Sequence, residues 1–406
     1  MSDHYQNPPL SGLKVIEFGQ VAAGPFTGML LGDLGADVVK IERPDGGDAM
    51  RLWPPLLENE EGENFSGNFA SLNRNKRSVM IDLYNSADLE KLKCMIAEAD
   101  VFIENYRPGI LRKFDLDYES VKKMNSKLVY CSISGFGQNG PYSNKGAFDV
   151  TIQAMSGLMS VTGEEHGPAV KAGIPVGDFV TALYGAYCIM VGLSNVARSK
   201  EGTYIDCSML GSLLGISALQ TSEYYGTGNS PKALGSAHPR NAPYQGYASK
   251  DRHFVIAAGN DKLWKSVCQI VDKCELANDE RFSSQVLRAK NQKELSAILQ
   301  PIFLTATAEE WLEKFDHAGV PCAPINDFEE ILKDSHVTSM NIIKETKLPN
   351  GTTTKDIGFP IKMSNFNFEI FRNAPKLGEH NDEVFEEWLG IKNFNLYRRG
   401  NIDHNR

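Results

Sequence analysis

Residues 13–44 read LKVIEFGQVAAGPFTGMLLGDLGADVVKIERP. The opening LKVIEFG is apolar and β-branched, GPFTGMLLGDLG repeats its apolar residues at helical spacing, and ADVVKIERP is a second β-like run. Strand, helix and strand in this order make a βαβ unit, whose two strands run parallel. The alternation continues, with SVMIDL (78–83) strand-like, ADLEKLKCMIAEA (87–99) an amphipathic helix, DVFIEN (100–105) a strand and KLVYCSISGFG (127–137) the start of another. The pattern predicts an α/β fold with a doubly wound, Rossmann-like sheet.

With 406 residues, 42% of them hydrophobic, the chain is long enough for two structural units. Residues 221–245, TSEYYGTGNSPKALGSAHPRNAPYQ, are rich in Gly, Ser, Pro and Asn and read as a long loop at a domain boundary. Beyond it, HFVIAAG is a strand candidate, and KLWKSVCQIVDK and QKELSAILQPIFLTATAEEWLEKFDHAG are helical, the second broken near Pro301. They predict a smaller α/β domain. After Pro321 the chain is loop-rich until DEVFEEWLG, a short amphipathic helix. The stretch from Phe179 to Val196 is apolar almost all round, but Thr181, Gly185, Ser194 and Asn195 interrupt it, favouring a buried core helix over a membrane span. The first dozen residues lack the cationic start and apolar run of a secretory signal, so a cytoplasmic location is expected.

A net charge of -9 argues against nucleic acid as a partner. Seven cysteines without a C-x-x-C pair, and histidines without ligand spacing, predict reduced thiols and no metal site. A nicotinamide-dependent dehydrogenase is the first temptation, with Glu42 where a ribose-binding acid would stand. Residues 19–24 read GQVAAG rather than G-x-G-x-x-G, and Arg43 follows the acid, so Glu42 reads better as structural. Basic residues recur near strand ends: Lys40, Arg43, Arg74, Lys76, Arg77, Arg107, Arg112 and Lys113. Each alone is a surface charge; together, in an acidic chain, they suggest a phosphorylated ligand.

Asp178, in PVGDFVTALYGAY, stands just before an apolar helix, at its N-cap or first turn. The plain reading is a helix cap. The functional reading is a carboxylate that the helix terminus keeps ionised for nucleophilic attack. His238, in GSAHPRNAPYQ, is a second candidate, whereas His166 and His380 read as structural.

Taken together, GLKVIEFGQVAAGPFTGMLLGDLGADVVKIERPDGGD, NRNKRSVMIDL, ADVFIENYRPG, YCSISGFGQNGPY, Gly177-Asp178, GTYIDCSML and APKLGEH resemble the class III CoA-transferases from about Leu10 to Leu389. That resemblance implies a large domain built from 1–222 and 335–406, a smaller domain inserted at 223–334, and an interlocked homodimer. It implies acyl-CoA and small carboxylic acids as substrates, no permanently bound cofactor, and no membrane partner. Asp178 falls on the family's nucleophile. CoA contacts fall on Val21, Ala22, Ala23, Arg43, Ile81, Asp82, Leu83, Tyr84, Asn105, Tyr106, Arg107 and Lys113, with Arg43 and Lys113 toward phosphates. Ala22 and Tyr84 depart from formyl-CoA transferases, which carry a glutamine and a lysine there.

The family's racemases place a histidine before an Asp, and here Phe148 precedes Asp149. Two-base proton exchange thereby loses a partner, so transfer is expected over racemisation. Asp149 is open to a substrate-side or a structural role, and His238 remains a substrate-side candidate. NRNK, ENYRPG, GSAH with PYQ, and AAGNDKLW look most like the branch using succinyl-CoA with dicarboxylates such as glutarate. A distal carboxylate needs its own cation, for which Arg107 and Arg288 are candidates.

Overall fold

The computed structural model describes residues 8–391. In chain order it runs β1 (Lys14–Phe18), α1 (Ala23–Asp33), β2 (Asp37–Glu42), a hairpin of β3 (Leu56–Glu58) and β4 (Asn64–Ser66), α2 (Gly67–Asn73), β5 (Lys76–Met80), α3 (Ser86–Glu98), β6 (Val101–Glu104), α4 (Tyr118–Met124), β7 (Val129–Ser134), α5 (Asp149–Met155), α6 (Val176–Ser199), β8 (Thr203–Ser208) and α7 (Met209–Ile216). Six strands form one sheet in the order β5-β2-β1-β6-β7-β8, every pair parallel. The order reverses between β1 and β6, so the loops leaving these two strands flank a crevice at the sheet's carboxyl edge.

Successive strand residues serve two cores, because side chains alternate across the sheet. Ile16, Val39 and Phe102 pack with Leu92 and Met95 of α3 and with Val384 and Phe385 of the helix Asn381–Leu389. Val15, Val38, Val101 and Val129 pack with Leu31 of α1 and Ile189 of α6. Each such buried side chain contributes about 1.5–3 kcal/mol. The helix Asn381–Leu389 is fastened further by Arg77 to Glu383 at 3.0 Å and Glu387 at 2.6 Å, and by the Trp388 indole N–H donating to Asp37 at 3.0 Å.

Two compact units result: Met1–Ser156 with Ala172–Leu219 and Met340–Arg406, and Gly157–Lys171 with Gln220–Ser339. Residues 157–171, counted by sequence with the large domain, join the smaller unit. Gly235 N–H donates to the Gly163 carbonyl at 2.8 Å and Lys293 pairs with Glu165 at 2.7 Å, binding the segment there. The smaller unit holds an antiparallel sheet of Cys322–Pro324, His253–Ala257 and Tyr244–Ala248, in that order, over a core that includes Trp264, Phe303 and Phe315.

Three local expectations change. Pro301 lies inside the helix Gln292–Phe303; the break comes after it, where Thr307 and Glu310 form a capping box that starts Ala308–His317. Residues Ala218–Thr227 are helical, so the loop is shorter than composition suggested. Finally, α6 is not buried all round. Gly177, Thr181, Ala182, Gly185, Ile189 and Gly192 are buried, on a helix that packs against α1, β7 and β8, whereas Leu183, Tyr187 and Val191 are exposed. Among the described residues, α6 is the one helix long and apolar enough to cross a membrane by length and composition.

Candidate active site

The β1–α1 loop leaves the sheet at its switch point, and Val21 within it has φ +66. A β-branched residue in the left-handed region is a genuine outlier. Two remote side chains hold it. Asp48 accepts the Val21 N–H with both oxygens at 3.1 Å. The Asn105 amide accepts the Gln20 N–H at 2.9 Å and donates to the Gln20 carbonyl at 2.9 Å. Just after this turn, α1 begins at Ala22 without a side-chain cap and without an acidic residue in its first turn.

Beneath the loop lies a buried charge cluster. Lys40 pairs with Glu17 at 3.1 Å and Asp48 at 3.0 Å, and donates to the Gly19 carbonyl at 2.9 Å. Lys76 reaches Glu17 at 2.8 Å and the Pro25 carbonyl at 2.7 Å. Arg51 grips both oxygens of Glu42 at 2.8 and 2.6 Å. Burial alone would raise the Glu42 carboxyl, but Arg51, Lys40 and Ser78 pull it down to about 2. Burial, with Lys40 alongside, brings Lys76 down to about 8 against the attraction of Glu17. This cluster corrects the sequence reading of Lys40, Arg74, Lys76 and Arg77 as phosphate-facing. All four are buried and paired, Arg74 with Asp33 at 2.7 Å and Arg77 with Asp37, Glu383 and Glu387. Glu42 is structural, as expected.

Across the sheet, Asp178 occupies the first turn of α6. Asp149, the first residue of α5, accepts the Gly177 N–H at 2.7 Å and the Gln153 amide at 2.6 Å. A Cβ on Gly177 would stand 2.9 Å from the Asp149 carboxylate, so this approach needs glycine. Asp149 therefore anchors the start of α6 and leaves Asp178 beside it. Desolvation, then the Asp149 charge, raise the Asp178 carboxyl to about 7. The helix terminus was expected to keep this carboxylate ionised; burial next to a like charge outweighs it. Among the described residues Asp178 has no hydrogen-bond or ion-pair partner. Phe148 is 75% exposed, and no imidazole takes its place. The two halves of the site meet where Phe26 of α1 packs on Phe179 of α6, ring centroids 4.8 Å apart.

The remaining candidates divide by exposure. Ile81 is buried, its N–H donating to the Glu42 carbonyl at 2.9 Å; Asp82 accepts the Tyr84 N–H at 3.0 Å; and Leu83 packs against the core. Tyr84 is 90% exposed and meets Phe114 at 5.4 Å, next to exposed Lys113. Arg43 is exposed, donating to the Gly47 carbonyl at 3.0 Å, and Tyr106 packs on Phe18 at 4.9 Å. The Arg107 guanidinium lies 3.0 Å from where a Gly146 Cβ would stand, and has no acidic partner among the described residues. Arg288 is fully buried and donates to the Ala242 and Phe282 carbonyls and to Asp261. With its donors thus engaged, it is removed as a candidate for a distal carboxylate. His238, in the smaller unit, accepts the Arg240 N–H at 3.1 Å and lies 5.0 Å from the Tyr244 ring; burial and Arg240 lower its pKa.

A family model for CoA-transferase family III matches residues 10–381. The chain belongs to the class III CoA-transferases. It is 38% identical to succinate–glutarate CoA-transferase of Agrobacterium fabrum, over 94% of this chain and 96% of that protein. The human succinyl-CoA:glutarate CoA-transferase is 36% identical, over 96% of this chain and 88% of that protein. A CaiB/BaiF family protein from Brucella suis, solved by crystallography, superposes with a TM-score of 0.85 at 37% identity, covering 94% of this chain and 100% of that one. This CoA-transferase is thus an enzyme that handles CoA thioesters as substrates.

Sequence reasoning overlooked Asp48, Gln153 and Glu104 in this CoA-transferase. The sole local hint for Asp48 is the pair Gly46 and Gly47, with φ +87 and +67, which folds the chain back after β2. Gln153 gives none: a buried amide on a short helix, it ties Asp149 to the Ala172 N–H at 2.8 Å. Glu104, buried at the end of β6, accepts the Tyr106 N–H at 2.8 Å, and desolvation raises its carboxyl to about 7.

Proposed function

We propose that this CoA-transferase moves CoA from succinyl-CoA to a second dicarboxylic acid, with Asp178 as the nucleophile. The observation that carries the nucleophile is the partly buried, unpartnered Asp178 carboxylate at the start of α6, raised to about 7. A desolvated carboxylate without a counter-ion is a stronger nucleophile than a hydrated or salt-bridged one. Asp178 attacks the thioester carbonyl, forming an aspartyl mixed anhydride and releasing CoA thiolate. The thiolate then attacks the aspartyl carbonyl, giving an aspartyl-CoA thioester and freeing the donor acid. The acceptor carboxylate attacks that thioester, forming a second mixed anhydride, whose acceptor carbonyl the thiolate takes. Asp178 returns as carboxylate. No water enters the sequence, and each tetrahedral step needs N–H donors at the oxyanion.

Around this centre, Val21, Ala22 and Ala23 are the proposed backbone contacts to CoA, with Asn105 and Tyr106 across the crevice. Ile81, Asp82 and Leu83 shape the adjoining wall. Tyr84 with Phe114 offers an exposed aromatic face for the adenine, flanked by the cations Arg43 and Lys113 for phosphates. Arg107 is the remaining cation for a distal carboxylate. The substrate class follows the relatives: glutarate in two, mesaconate in the succinyl-CoA:mesaconate CoA-transferase of Haloarcula marismortui, 36% identical over 93% of this chain. The exposed apolar face of α6, with Leu214 and Ile216 of α7, supports a homodimer that covers it.

Purified enzyme incubated with succinyl-CoA and a panel of mono- and dicarboxylates is expected to yield a new acyl-CoA with matched loss of succinyl-CoA, read by mass spectrometry. Asp178→Ala should lower the rate at least ~10⁴-fold while retaining CoA binding. Turnover near the wild-type rate in that variant would exclude Asp178 as nucleophile.

A further inference from the structure

The left-handed Val21 has no local cause. Ala22 follows it, and nothing in a βαβ turn demands a β-branched residue at φ +66 when glycine would take that conformation freely. Such outliers persist where the surroundings over-determine them, and they concentrate at functional sites. Here Asp48 is the determinant. Its two oxygens receive the Val21 N–H, its Oδ1 also receives the Met50 N–H at 3.0 Å, and fully buried Lys40 holds it at 3.0 Å. Lys40 in turn binds the Gly19 carbonyl, and the Asn105 amide takes both polar groups of the Gln20 backbone. Three consecutive residues, Gly19 to Val21, are thus bound to side chains from β2, the loop after β2 and the end of β6.

We propose that Asp48 is a positioning residue for acyl-CoA: it holds the Val21 turn so that the uncapped start of α1 meets the thioester beside α6. The proposal rests on the reading that residues 21–23 touch CoA. The position is set by packing as well, since Val21, Ala22 and Phe26 share a cluster with Phe179, the neighbour of Asp178. Releasing the turn moves the amides of Ala22 and Ala23 away from that neighbourhood, and leaves Lys40 to share Glu17 with Lys76.

Asp48→Asn preserves shape and removes the anion. The expected result is a rise of about tenfold in the Kd of CoA and in KM for succinyl-CoA, with kcat/KM down about 30-fold. The deciding arm is Val21→Gly in the Asp48→Asn background. Glycine adopts φ +66 without strain, so the double variant should recover at least fivefold in kcat/KM over Asp48→Asn alone. A merely structural role for Asp48 in balancing Lys40 gains nothing from that second change. Should Asp48→Asn not fold, Asn105→Ala frees Gln20 without touching the buried charges, and it should show the same loss and the same recovery with Val21→Gly. Unchanged kcat/KM in the single variants, or no recovery in the doubles, overturns the proposal. Isothermal titration of wild-type enzyme with CoA separates the two levels. Tight wild-type binding that is unaltered by Asp48→Asn sinks this inference alone, and no wild-type binding sinks the parent reading with it.

Discussion

On the β2 side of the sheet, buried Glu42 is gripped by Arg51 and drawn down to about 2; on the α6 side, Asp178 has among the described residues the like charge of Asp149 for company and is pushed up to about 7. Both carboxylates lose water. The difference is the partner: a bidentate guanidinium favours the charged form, and a like charge disfavours it. Around Glu42, the anions Glu17 and Asp48 are matched by Lys40 and Lys76, so the region has no reactive charge and serves as scaffold. A raised carboxyl is not enough by itself, since Glu104, which accepts the Tyr106 N–H, is also raised to about 7 yet is buried at the end of its strand. Asp178 combines the missing cation with partial access to solvent.

The sharpest way to break this contrast is to remove one partner from each side. Arg51→Met removes the guanidinium that pairs with Glu42, leaving the buried carboxylate the Ser78 hydroxyl, the Asp48 N–H and the charge of Lys40, and is expected to cost about 3–5 kcal/mol in urea unfolding. Asp178→Asn should do the reverse. Its wild-type carboxyl ionises near 7 when folded, against an ordinary value of 3.8, so between those pH values the folded chain holds a proton that the unfolded chain has released. Stability therefore falls as pH rises through this window. The neutral amide escapes the penalty, and Asp178→Asn should be more stable than wild type at pH 8 by on the order of 2 kcal/mol, discounted for partial solvation, with the gain gone by pH 4. Equal stability of both variants with wild type would dissolve the distinction between scaffold and reactive carboxylates.

Catalysis offers a gentler probe of the same asymmetry. A carboxylate nucleophile must act ionised, so if Asp178 has the proposed role kcat/KM should fall about tenfold per pH unit below about 7 and level off above it. A profile flat from pH 5 to pH 8 would show that Asp178 is ionised throughout, as the helix-terminus argument from sequence had it.

Burial beside Asp149, which outweighs the helix terminus at Asp178, shows which properties local sequence carries. Strand and helix order, and the place of Asp178 before an apolar run, depend on neighbours in the chain and were legible. Charge partners were not. Lys40 meets Glu17 across 23 positions, Arg74 meets Asp33 across 41, and Lys76 meets Glu17 across 59. A basic residue near a strand end looks the same in sequence whether it points to a phosphate or closes a buried pair. Asp149 likewise stayed open between a substrate-side and a structural role, because its Gly177 contact spans 28 positions and depends on a glycine with room for it.

The smallest effect sharpens the reactive side. Arg107 is the cation that buried pairing has not claimed among the two proposed for a distal carboxylate, since Arg288 is spent on Asp261 and two carbonyls. A guanidinium exposed beside Gly146 makes a partly screened pair, worth about 1 kcal/mol rather than the several of a sealed one. Arg107→Gln should therefore raise KM for glutarate about fivefold more than KM for butyrate, which has no second carboxylate to lose. Equal shifts for the two acids would move Arg107 from acceptor recognition to CoA binding.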